Sequence, residues 1–209
     1  MWHKNYDKIY LINLLCRPDR LQSATHELSG HGIPFEVVEA VPHINGSCGL
    51  YMTVLRLFEY AEKWDIGNIL IFEDDVMFCV DNINGRLNDT IAELLKIDWD
   101  MLYLGANVQS VMNKVPDCNT LLQVQTMLAT HAVAYSKNGW RKCLQAMRQV
   151  GMNEPIDIIF TKFVQPQGKC YLSKPMLAFQ RPSYSNIVDQ EMDSSAMLQK
   201  NFNTQLKCM

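Results

Sequence analysis

The sequence Asn68-Ile-Leu-Ile-Phe-Glu-Asp-Asp-Val-Met-Phe78 decides how the rest of the chain is interpreted. Its apolar residues 69–72 are followed by three adjacent carboxylates, Glu73, Asp74 and Asp75. An apolar run of this length is typical of a strand covered on both faces, as in a mainly parallel sheet. Three acids at the end of a buried strand repel one another and lose hydration, so we expect a divalent cation or a ligand to offset that cost. The alternative is a solvated acidic turn.

The carboxylate oxygens of this triplet favour Mg²⁺ or Mn²⁺ over zinc. Ligands of open α/β sheets collect at the carboxyl ends of the strands, which is where the triplet lies. In an extended segment Glu73 and Asp75 point one way and Asp74 the other. We therefore expect one or two of the acids to reach a metal while another accepts hydrogen bonds from a ligand.

Length and composition indicate one soluble globular domain. The chain has 209 residues, of which 48% are hydrophobic and 20% charged, and we predict a domain over residues 1–190 with a polar tail over 191–209. The formal charge of −3 gives no global signal for nucleic acid or an anionic membrane. No apolar run approaches the ~18 residues of a spanning helix, and the N-terminus lacks the apolar region of a signal peptide.

The seven cysteines are placed singly, without a C-x-x-C pair. That pattern favours neither a zinc site nor a disulfide framework. We expect them to be reduced and the protein to be cytoplasmic.

The first half of the chain predicts a β-α-β unit, the outline of a nucleotide-binding half. A strand over 8–14 leads into a helix that begins near Pro18 and Asp19, two residues suited to a first helical turn. A second strand is predicted over 35–41, a loop over 42–49 and an amphipathic helix over 50–64.

The second half alternates helices, strands and an irregular stretch. Residues 106–119 are polar, and we predict a mobile surface loop near the site. Residues 121–126 and 129–135 are predicted to pair as strands. The remaining predicted elements are helices over 82–96, 136–149 and 155–164, and strands over 99–105, 170–172 and 176–179.

Several of these segments, in this order, resemble glycosyltransferase family 25, the lipooligosaccharide and collagen hydroxylysine galactosyltransferases. The matching segments are Tyr10-Leu-Ile-Asn-Leu-x-x-Arg-x-Asp-Arg20, Phe35-Glu-Val-Val-Glu-Ala40, the helix around Cys48, Ile69-Leu-Ile-Phe-Glu-Asp-Asp-Val76, Trp99-Asp-Met-Leu-Tyr-Leu-Gly105, Thr130-His-Ala-Val-Ala-Tyr-Ser136, Pro155-Ile-Asp157 and Gln180-x-Pro-Ser-Tyr-Ser-x-Ile187. The resemblance implies an α/β fold of GT-A type, a single Rossmann-like domain with a mostly parallel central sheet flanked by helices. It also implies a UDP-sugar donor and Mn²⁺ or Mg²⁺.

One segment departs from the family pattern. The helix after the second strand usually begins with a Cys-x-Leu-Ser-His-like stretch, whereas this chain has Cys48-Gly-Leu-Tyr-Met52. The Ser-His pair is replaced by Tyr51 and Met52, which puts the identity of the donor in question. The last motif also has Asn186 where the family often has Asp.

The predicted metal and donor ligands follow from these motifs. The resemblance implies that Asp75 is the direct metal ligand, with Glu73 as a second ligand and Asp74 among the donor-binding residues. Asn13, Arg17 and Arg20 lie where the first strand turns into the first helix, a common place for nucleotide contacts. The alternative is that both arginines are solvated first-turn residues paired with acids.

A base for the acceptor hydroxyl is predicted at Asp157, with Glu154 as the second candidate, because inverting transfer requires proton removal from the nucleophile. The alternative for Asp157 is an acid that complements a helix dipole. His131 is a candidate substrate contact or a buried strand residue.

Near the end of the chain, Gln180, Ser183 and Ser185 are predicted to contact the donor's diphosphate. The alternative is an ordinary loop that contains a proline.

The leading hypothesis is a metal-dependent glycosyltransferase that moves galactose or glucose from a UDP-sugar to a hydroxyl, with inversion. One alternative is a catalytically degenerate nucleotide-sugar-binding or interaction module of the same fold. Another is a nucleotidyl or phosphoryl transferase, but the chain has neither a Walker A nor a G-x-G-x-x-G motif. The acceptor is left open between a glycan, a protein hydroxyl and a modified nucleic acid base, the last because basic residues cluster on the helix over 136–149.

Overall fold

The computed structural model describes residues 1–110, 112–185, 190–192, 200 and 203, with the backbone alone for 183–185 and 190–192. The α-helices are α1 (Pro18–Gly30), α2 (Gly46–Lys63), α3 (Ile83–Leu94), α4 (Lys137–Val150) and α5 (Ile156–Phe163). The strands are β1 (Lys8–Asn13), β2 (Glu36–Glu39), β3 (Ile69–Glu73), β4 (Val76–Phe78), β5 (Met101–Tyr103), β6 (Asn107–Val108), β7 (Met112–Lys114), β8 (Leu121–Val124), β9 (Met127–Leu128), β10 (Ala132–Tyr135), β11 (Cys170–Ser173), β12 (Ala178–Gln180), β13 (Ser183–Ser185) and β14 (Gln190–Met192). Short 3-10 helices cover Trp2–Asn5, Gly151–Asn153 and Gln165–Gln167.

The central sheet has eight strands in the order β2-β1-β3-β10-β5-β11-β8-β7. Strand β1 is parallel to β2 and β3, and β5 is parallel to β11, whereas β10 and β8 run antiparallel to both of their neighbours. All the strands of this sheet except β10 and β8 therefore point the same way. The prediction of an α/β fold with a mostly parallel central sheet flanked by helices is confirmed.

Strand β3 is buried on both faces, as its unbroken apolar run predicts. Ile69 and Ile71 pack into the core on one side of the sheet with α2, α4 and α5. Leu70 and Phe72 pack into the core on the other side with α1 and α3. Each such apolar side chain contributes about 1.5–3 kcal/mol when it is fully buried. The end of β3 is thus held rigidly, and with it the acidic triplet.

The predicted β-α-β unit is confirmed, but the helix after it begins earlier than predicted. Helix α2 starts at Gly46 rather than near residue 50. The side chain of Asn45 caps it by accepting hydrogen bonds from the backbone N–H groups of Ser47 (2.9 Å) and Cys48 (3.3 Å). An N-cap of this kind satisfies donors that the helix itself leaves unpaired.

Two predictions about the middle of the chain are wrong. The stretch 106–119 is not an unstructured loop, because it contains β6 and β7, and β7 forms the outer edge of the central sheet. The strands predicted over 121–126 and 129–135 form but do not pair with each other: β8 pairs with β11 and β7, whereas β10 lies between β3 and β5. All four side chains of β10 are buried, which favours a central position over a two-stranded hairpin.

A second, two-stranded sheet fixes the chain after the acidic triplet. Strand β4 pairs antiparallel with β12, so that Gln180 lies opposite Val76. The backbone N–H groups of Leu177 and Ala178 both donate to the carbonyl of Leu104, at 2.7 and 3.1 Å. This pairing brings β12 across the carboxyl end of β3. No helix within the described part of the chain is long and apolar enough to cross a membrane.

Candidate active site

A cavity of about 360 Å³ opens at the carboxyl ends of β1 and β3. One end is polar and is lined by Asn13, Arg20, the acidic triplet and Gln180. The other end is mainly apolar and is formed by Ile12 and Leu14 of the β1–α1 connection, residues 40–44 after β2, and the first turn of α2. This size and this division into an apolar wall and a few polar groups are typical of small-molecule sites.

Asp74 is the fixed centre of the polar end. Its Oδ2 accepts a hydrogen bond from Asn13 Nδ2 at 2.8 Å, and its Oδ1 accepts one from Arg20 Nη1 at 2.8 Å. The Asn13 amide also donates to the backbone carbonyl of Arg17 at 3.0 Å. Asp74 is only 8% exposed, so this buried carboxylate joins β1, α1 and the turn after β3.

Asp75 is less fully compensated than Asp74. Its Oδ2 lies 3.9 Å from Arg20 Nη1 and accepts a hydrogen bond from Gln180 Nε2 at 3.3 Å. Its Oδ1 is buried and has no hydrogen-bond partner among the described residues. Burial raises the pKa of Asp75 to about 6; the charge of Arg20 opposes that rise and the charge of Asp74 adds to it. A carboxylate in this state has an oxygen available to a cation.

Glu73 is held from the opposite side by the segment that precedes β10. Its Oε1 accepts a hydrogen bond from the Thr130 hydroxyl at 2.8 Å, and its backbone N–H donates to the carbonyl of His131 at 2.9 Å. Burial and then the charge of Asp75 raise the pKa of Glu73 to about 8, with smaller contributions from Asp74 and Asp157. The two acids therefore destabilise each other's ionised forms.

These carboxylates fit a divalent cation that takes its other ligands from elsewhere. In the described parts of the chain, no three His, Cys, Asp or Glu side chains are grouped to hold a metal by themselves. Mg²⁺ in phosphate-transfer sites is usually held by one or two carboxylates, with water and substrate phosphates completing its shell. The uncompensated oxygen of Asp75, with Glu73 beside it, suits this arrangement.

Arg17 and Glu154, two of the other predicted site residues, lie off the cavity wall. Arg17 makes a two-pronged ion pair with Asp19, with a Nη2–Oδ2 distance of 2.9 Å. Glu154 pairs with Lys162 at 2.6 Å.

Asp157 also lies off the wall, and each of its oxygens accepts a hydrogen bond from a backbone amide. Its Oδ1 takes the N–H of Ile158 at 2.9 Å, and its Oδ2 takes the N–H of Ala129 at 3.3 Å. Its charge still affects the site, where it adds to the rise in the pKa of Glu73.

His131 is fully buried and does not line the cavity. Its Nε2 lies 3.4 Å from the carbonyl oxygen of Ala178, and its Nδ1 has no hydrogen-bond partner among the described residues. Burial lowers its pKa to about 4, so the imidazole is neutral at physiological pH. This geometry places it between β10 and β12 as a packing group.

Gln180 lines the cavity, but the side chains of Ser183 and Ser185 lie outside the described part of the structure. Their predicted contact with the donor stays a prediction.

Two features of the site were not found from the sequence. The motif Thr130-His-Ala-Val-Ala-Tyr-Ser136 gives Thr130 no role of its own, although its hydroxyl is what holds Glu73. The sequence predicts residues 42–49 only as a loop and Val41 as the end of a strand, but residues 41–44 form one wall of the cavity. Gly49 permits the close approach of this loop to α2, since a Cβ there would lie 2.6 Å from the carbonyl oxygen of Val41.

The residues that replace the family's Ser-His pair have structural contacts here. Tyr51 is 4% exposed, and its hydroxyl donates to the carbonyl of Met147 at 2.7 Å, which joins α2 to α4. Met52 is partly buried against the same core. Neither residue lines the cavity.

The basic residues of α4 are paired with acids. Lys137 and Arg141 both contact Asp65, at 2.8 and 2.9 Å. Lys142 pairs with the buried Asp100, and Arg148 pairs with two glutamates of α2. This helix therefore does not present an uncompensated positive surface.

Comparisons with known proteins place the chain near the family that its motifs resemble. No family model matches the chain. The probable inactive glycosyltransferase 25 family member 3 of Bos taurus is 24% identical over 204 residues, which is 79% of this chain and 34% of the relative. Procollagen galactosyltransferase 1-A of Xenopus laevis is 22% identical over 212 residues, 84% of this chain and 34% of the relative.

The inactive glycosyltransferase 25 family member 3 of Homo sapiens is 25% identical over 210 residues, 83% of this chain and 35% of the relative. The chain spans about a third of the length of the curated relatives it matches. Among solved structures, a glycosyltransferase involved in the glycosylation of the major capsid of PBCV-1 aligns with a TM-score of 0.48 at 13% identity, covering 79% of each chain. The predicted resemblance to glycosyltransferase family 25 is confirmed by the curated relatives, some of which are named as inactive.

Proposed function

We propose that this protein is a metal-dependent glycosyltransferase that moves a hexose, galactose or glucose, from a UDP-sugar to a hydroxyl acceptor. The observation that carries the proposal is the acidic turn at the cavity, where Asp75 has a buried carboxylate oxygen without a hydrogen-bond partner among the described residues. Similarity to glycosyltransferase 25 family members over about four fifths of the chain supports a role in glycosyl transfer.

The charges around the cavity favour metal dependence. Among the described residues, the cavity is lined by Glu73, Asp74 and Asp75 and by one arginine, Arg20, whose guanidinium already contacts Asp74. A nucleoside diphosphate would bring further negative charge beside these acids. Without a cation its binding would be opposed by like-charge repulsion.

The chain's own residues would each have a distinct part in binding. Asp75 and Glu73 would hold Mn²⁺ or Mg²⁺, which when bound stabilises the charge that develops on a leaving diphosphate. Arg20 and Gln180 keep the Asp75 carboxylate in place, and Asn13 does the same for Asp74. The apolar end of the cavity suits the flat face of a nucleobase, and the polar end suits its phosphates.

Inversion at the anomeric carbon is part of the proposal, as a single displacement by the acceptor hydroxyl. The base for that step was predicted at Asp157 or Glu154. Neither lines the cavity, and Glu154 is paired with Lys162. The proposal of sugar transfer therefore depends on the metal and donor residues and not on either of these acids.

The acceptor is proposed only as a hydroxyl, on a glycan, a protein or a modified nucleic acid base. The ion pairs of α4 remove the charge argument that kept a nucleic acid among the candidates. A cytoplasmic location remains part of the proposal, and the free thiols of Cys16, Cys48 and Cys79 are compatible with it.

The test is release of free nucleoside diphosphate from a panel of UDP-, GDP- and TDP-sugars with Mn²⁺ or with EDTA. We expect UDP release that requires metal and disappears in Asp75→Asn. Asp89→Asn, which removes an exposed acid of α3, is the matched control and should release UDP like the wild type. UDP release that is unchanged in EDTA or in Asp75→Asn would contradict the proposal.

The second candidate is a nucleotide-sugar-binding module of the same fold without turnover. It is favoured by the buried, structural contacts of Tyr51 and Met52 where the family has a Ser-His pair. Binding of UDP and Mn²⁺ with no UDP release from any donor would support it. Release of a nucleoside monophosphate or of pyrophosphate would instead indicate a nucleotidyl transferase.

A further inference from the structure

The connection between β9 and β10 links α5 to the acidic turn. Its first residue, Ala129, has a φ of +69°. An L-amino acid other than asparagine or aspartate is strained in this left-handed region, so the surrounding contacts must hold it there. Such strain is typical of segments that position functional groups.

Three side chains from α5 and the 3-10 turn after it hold β9 and the start of this connection. The buried amide of Gln165 accepts from the N–H of Met127 at 2.7 Å and donates to the carbonyl of Met127 at 2.8 Å. The Thr161 hydroxyl lies 3.2 Å from that same carbonyl. Asp157 Oδ2 accepts from the N–H of Ala129 at 3.3 Å. The backbone on the N-terminal side of Thr130 is thus fixed from α5.

The next two residues, Thr130 and His131, both form hydrogen bonds with Glu73. The Thr130 side chain is buried, and its hydroxyl donates to Glu73 Oε1 at 2.8 Å. The carbonyl of His131 accepts from the backbone N–H of Glu73 at 2.9 Å. Both the backbone and the carboxylate of Glu73 are therefore oriented by the segment that α5 holds.

We propose that Asp157 is a positioning residue rather than the base: it fixes the strained backbone at Ala129 so that the Thr130 hydroxyl orients Glu73 toward the bound cation. The inference rests on the proposed function, in which Glu73 is a metal ligand. Both carboxylate oxygens of Asp157 already accept backbone hydrogen bonds, and the side chain does not line the cavity. A base needs an oxygen within reach of the acceptor hydroxyl.

The test compares Thr130→Val, Thr130→Ser and Asp157→Asn with the wild type. The valine keeps the shape of threonine but cannot donate to Glu73, the serine keeps the hydroxyl, and the asparagine keeps an oxygen that can accept from Ala129. Mn²⁺ affinity in the presence of UDP is measured by electron paramagnetic resonance, and kcat and KM by UDP release over a range of pH. Thermal unfolding confirms that each variant is folded.

We expect Thr130→Val to bind Mn²⁺ about 10–100-fold more weakly, the usual effect of removing a partner of a metal ligand. Thr130→Ser and Asp157→Asn should bind within about tenfold of the wild type, and Asp157→Asn should keep the wild-type shape of the pH profile. If Thr130→Val does not fold, Thr130→Ala removes the same hydrogen bond.

Two results would overturn the inference. One is wild-type Mn²⁺ affinity in the folded Thr130 variants. The other is normal Mn²⁺ binding by Asp157→Asn with a loss in kcat of about 10²-fold or more and a missing limb of the pH profile, as expected for a base.

A wild type that neither binds Mn²⁺ with UDP nor releases UDP would instead refute the proposed function. The positioning is then tested by crystal structures of the wild type and Thr130→Val. A Glu73 carboxylate that turns away in the variant supports the inference, and an unmoved carboxylate overturns it.

Discussion

Replacing Arg20 by methionine removes a guanidinium that lines the acidic end of the cavity. Its Nη1 lies 2.8 Å from Asp74 Oδ1 and 3.9 Å from Asp75 Oδ2, and its side chain is 14% exposed. With an effective dielectric constant of about 20, these distances correspond to gross attractions of roughly 6 and 4 kcal/mol. Desolvation of the same groups offsets much of that attraction.

The net loss of stability in Arg20→Met is set by the buried carboxylate of Asp74, which the substitution leaves without its ion-pair partner. Asp74 stays buried without its guanidinium partner, and breaking a buried pair in this way typically costs about 3–5 kcal/mol. Arg148→Met is the matched control, because Arg148 and its partner Glu62 are 47% and 49% exposed. An exposed pair contributes about 0–1 kcal/mol. We expect the free energy of unfolding to fall by about 3–5 kcal/mol in the first variant and by less than about 1 in the second.

Urea unfolding at 25 °C and pH 7.5, followed by circular dichroism, measures both losses. The free energy of unfolding of an ordinary domain is about 5–15 kcal/mol, so a loss of this size can unfold a domain at the lower end of that range. If Arg20→Met is unfolded, Arg20→Lys, which retains the positive charge, serves as a milder variant. Mn²⁺ should restore part of the stability of Arg20→Met, since a bound cation compensates the same acids. A loss in Arg20→Met no larger than in Arg148→Met would refute the electrostatic account of the acidic turn.

Three further predictions concern pH, close packing and capping. Because the pKa values of Glu73 and Asp75 are raised to about 8 and about 6, these two acids hold more protons in the folded protein than in the unfolded chain. His131, whose pKa burial lowers to about 4, has the opposite effect below about pH 6.5. Between about pH 6.5 and 8 the effect of Glu73 dominates, and stability without metal should fall by about 1–2 kcal/mol as the pH rises; urea midpoints that rise with pH in this range would contradict it. Gly105→Ala should lower the free energy of unfolding by about 1–3 kcal/mol or more, because its Cβ would lie 1.8 Å from a backbone carbonyl oxygen of β12. Gly30→Ala, which has open space around it, is the control and should be neutral or slightly stabilising. Equal melting temperatures for the two variants would refute this. Asn45→Ala should lower the free energy of unfolding, measured by chemical denaturation, by about 1 kcal/mol, because the N-cap of α2 is lost. An unchanged midpoint would show that the cap does not stabilise the helix.

The sequence predicts which segments form helices and strands better than it predicts which strands pair with one another. The apolar run over 69–72 predicts a doubly covered strand, and β3 is one. The run over 132–135 has the same character, but nothing in it specifies that β10 inserts antiparallel between β3 and β5. Side-chain patterning reports burial on each face of a strand, whereas strand order depends on contacts far apart in the chain.

In the candidate site, too, the sequence shows which residues are present but not which contacts they make. Adjacent acids after a buried strand are visible in the sequence, and so is their position at the carboxyl end of a sheet. What is not visible is that Asp74 is held by Arg20 and Asn13 while Asp75 keeps an uncompensated oxygen. That difference depends on the turn after β3, which rotates neighbouring side chains away from strict alternation. The contribution of Thr130 is equally hidden, because its partner Glu73 is 57 residues away.

The most direct test of the account is a crystal structure of the protein with Mn²⁺ and UDP, with the metal located by its anomalous scattering. We expect an Mn²⁺ ion in contact with a carboxylate oxygen of Asp75 and with the diphosphate of UDP, inside the cavity at the carboxyl ends of β1 and β3. Metal and nucleotide bound elsewhere, or UDP bound in the cavity with its diphosphate on Arg20 and no Mn²⁺ at the acidic turn, would contradict it.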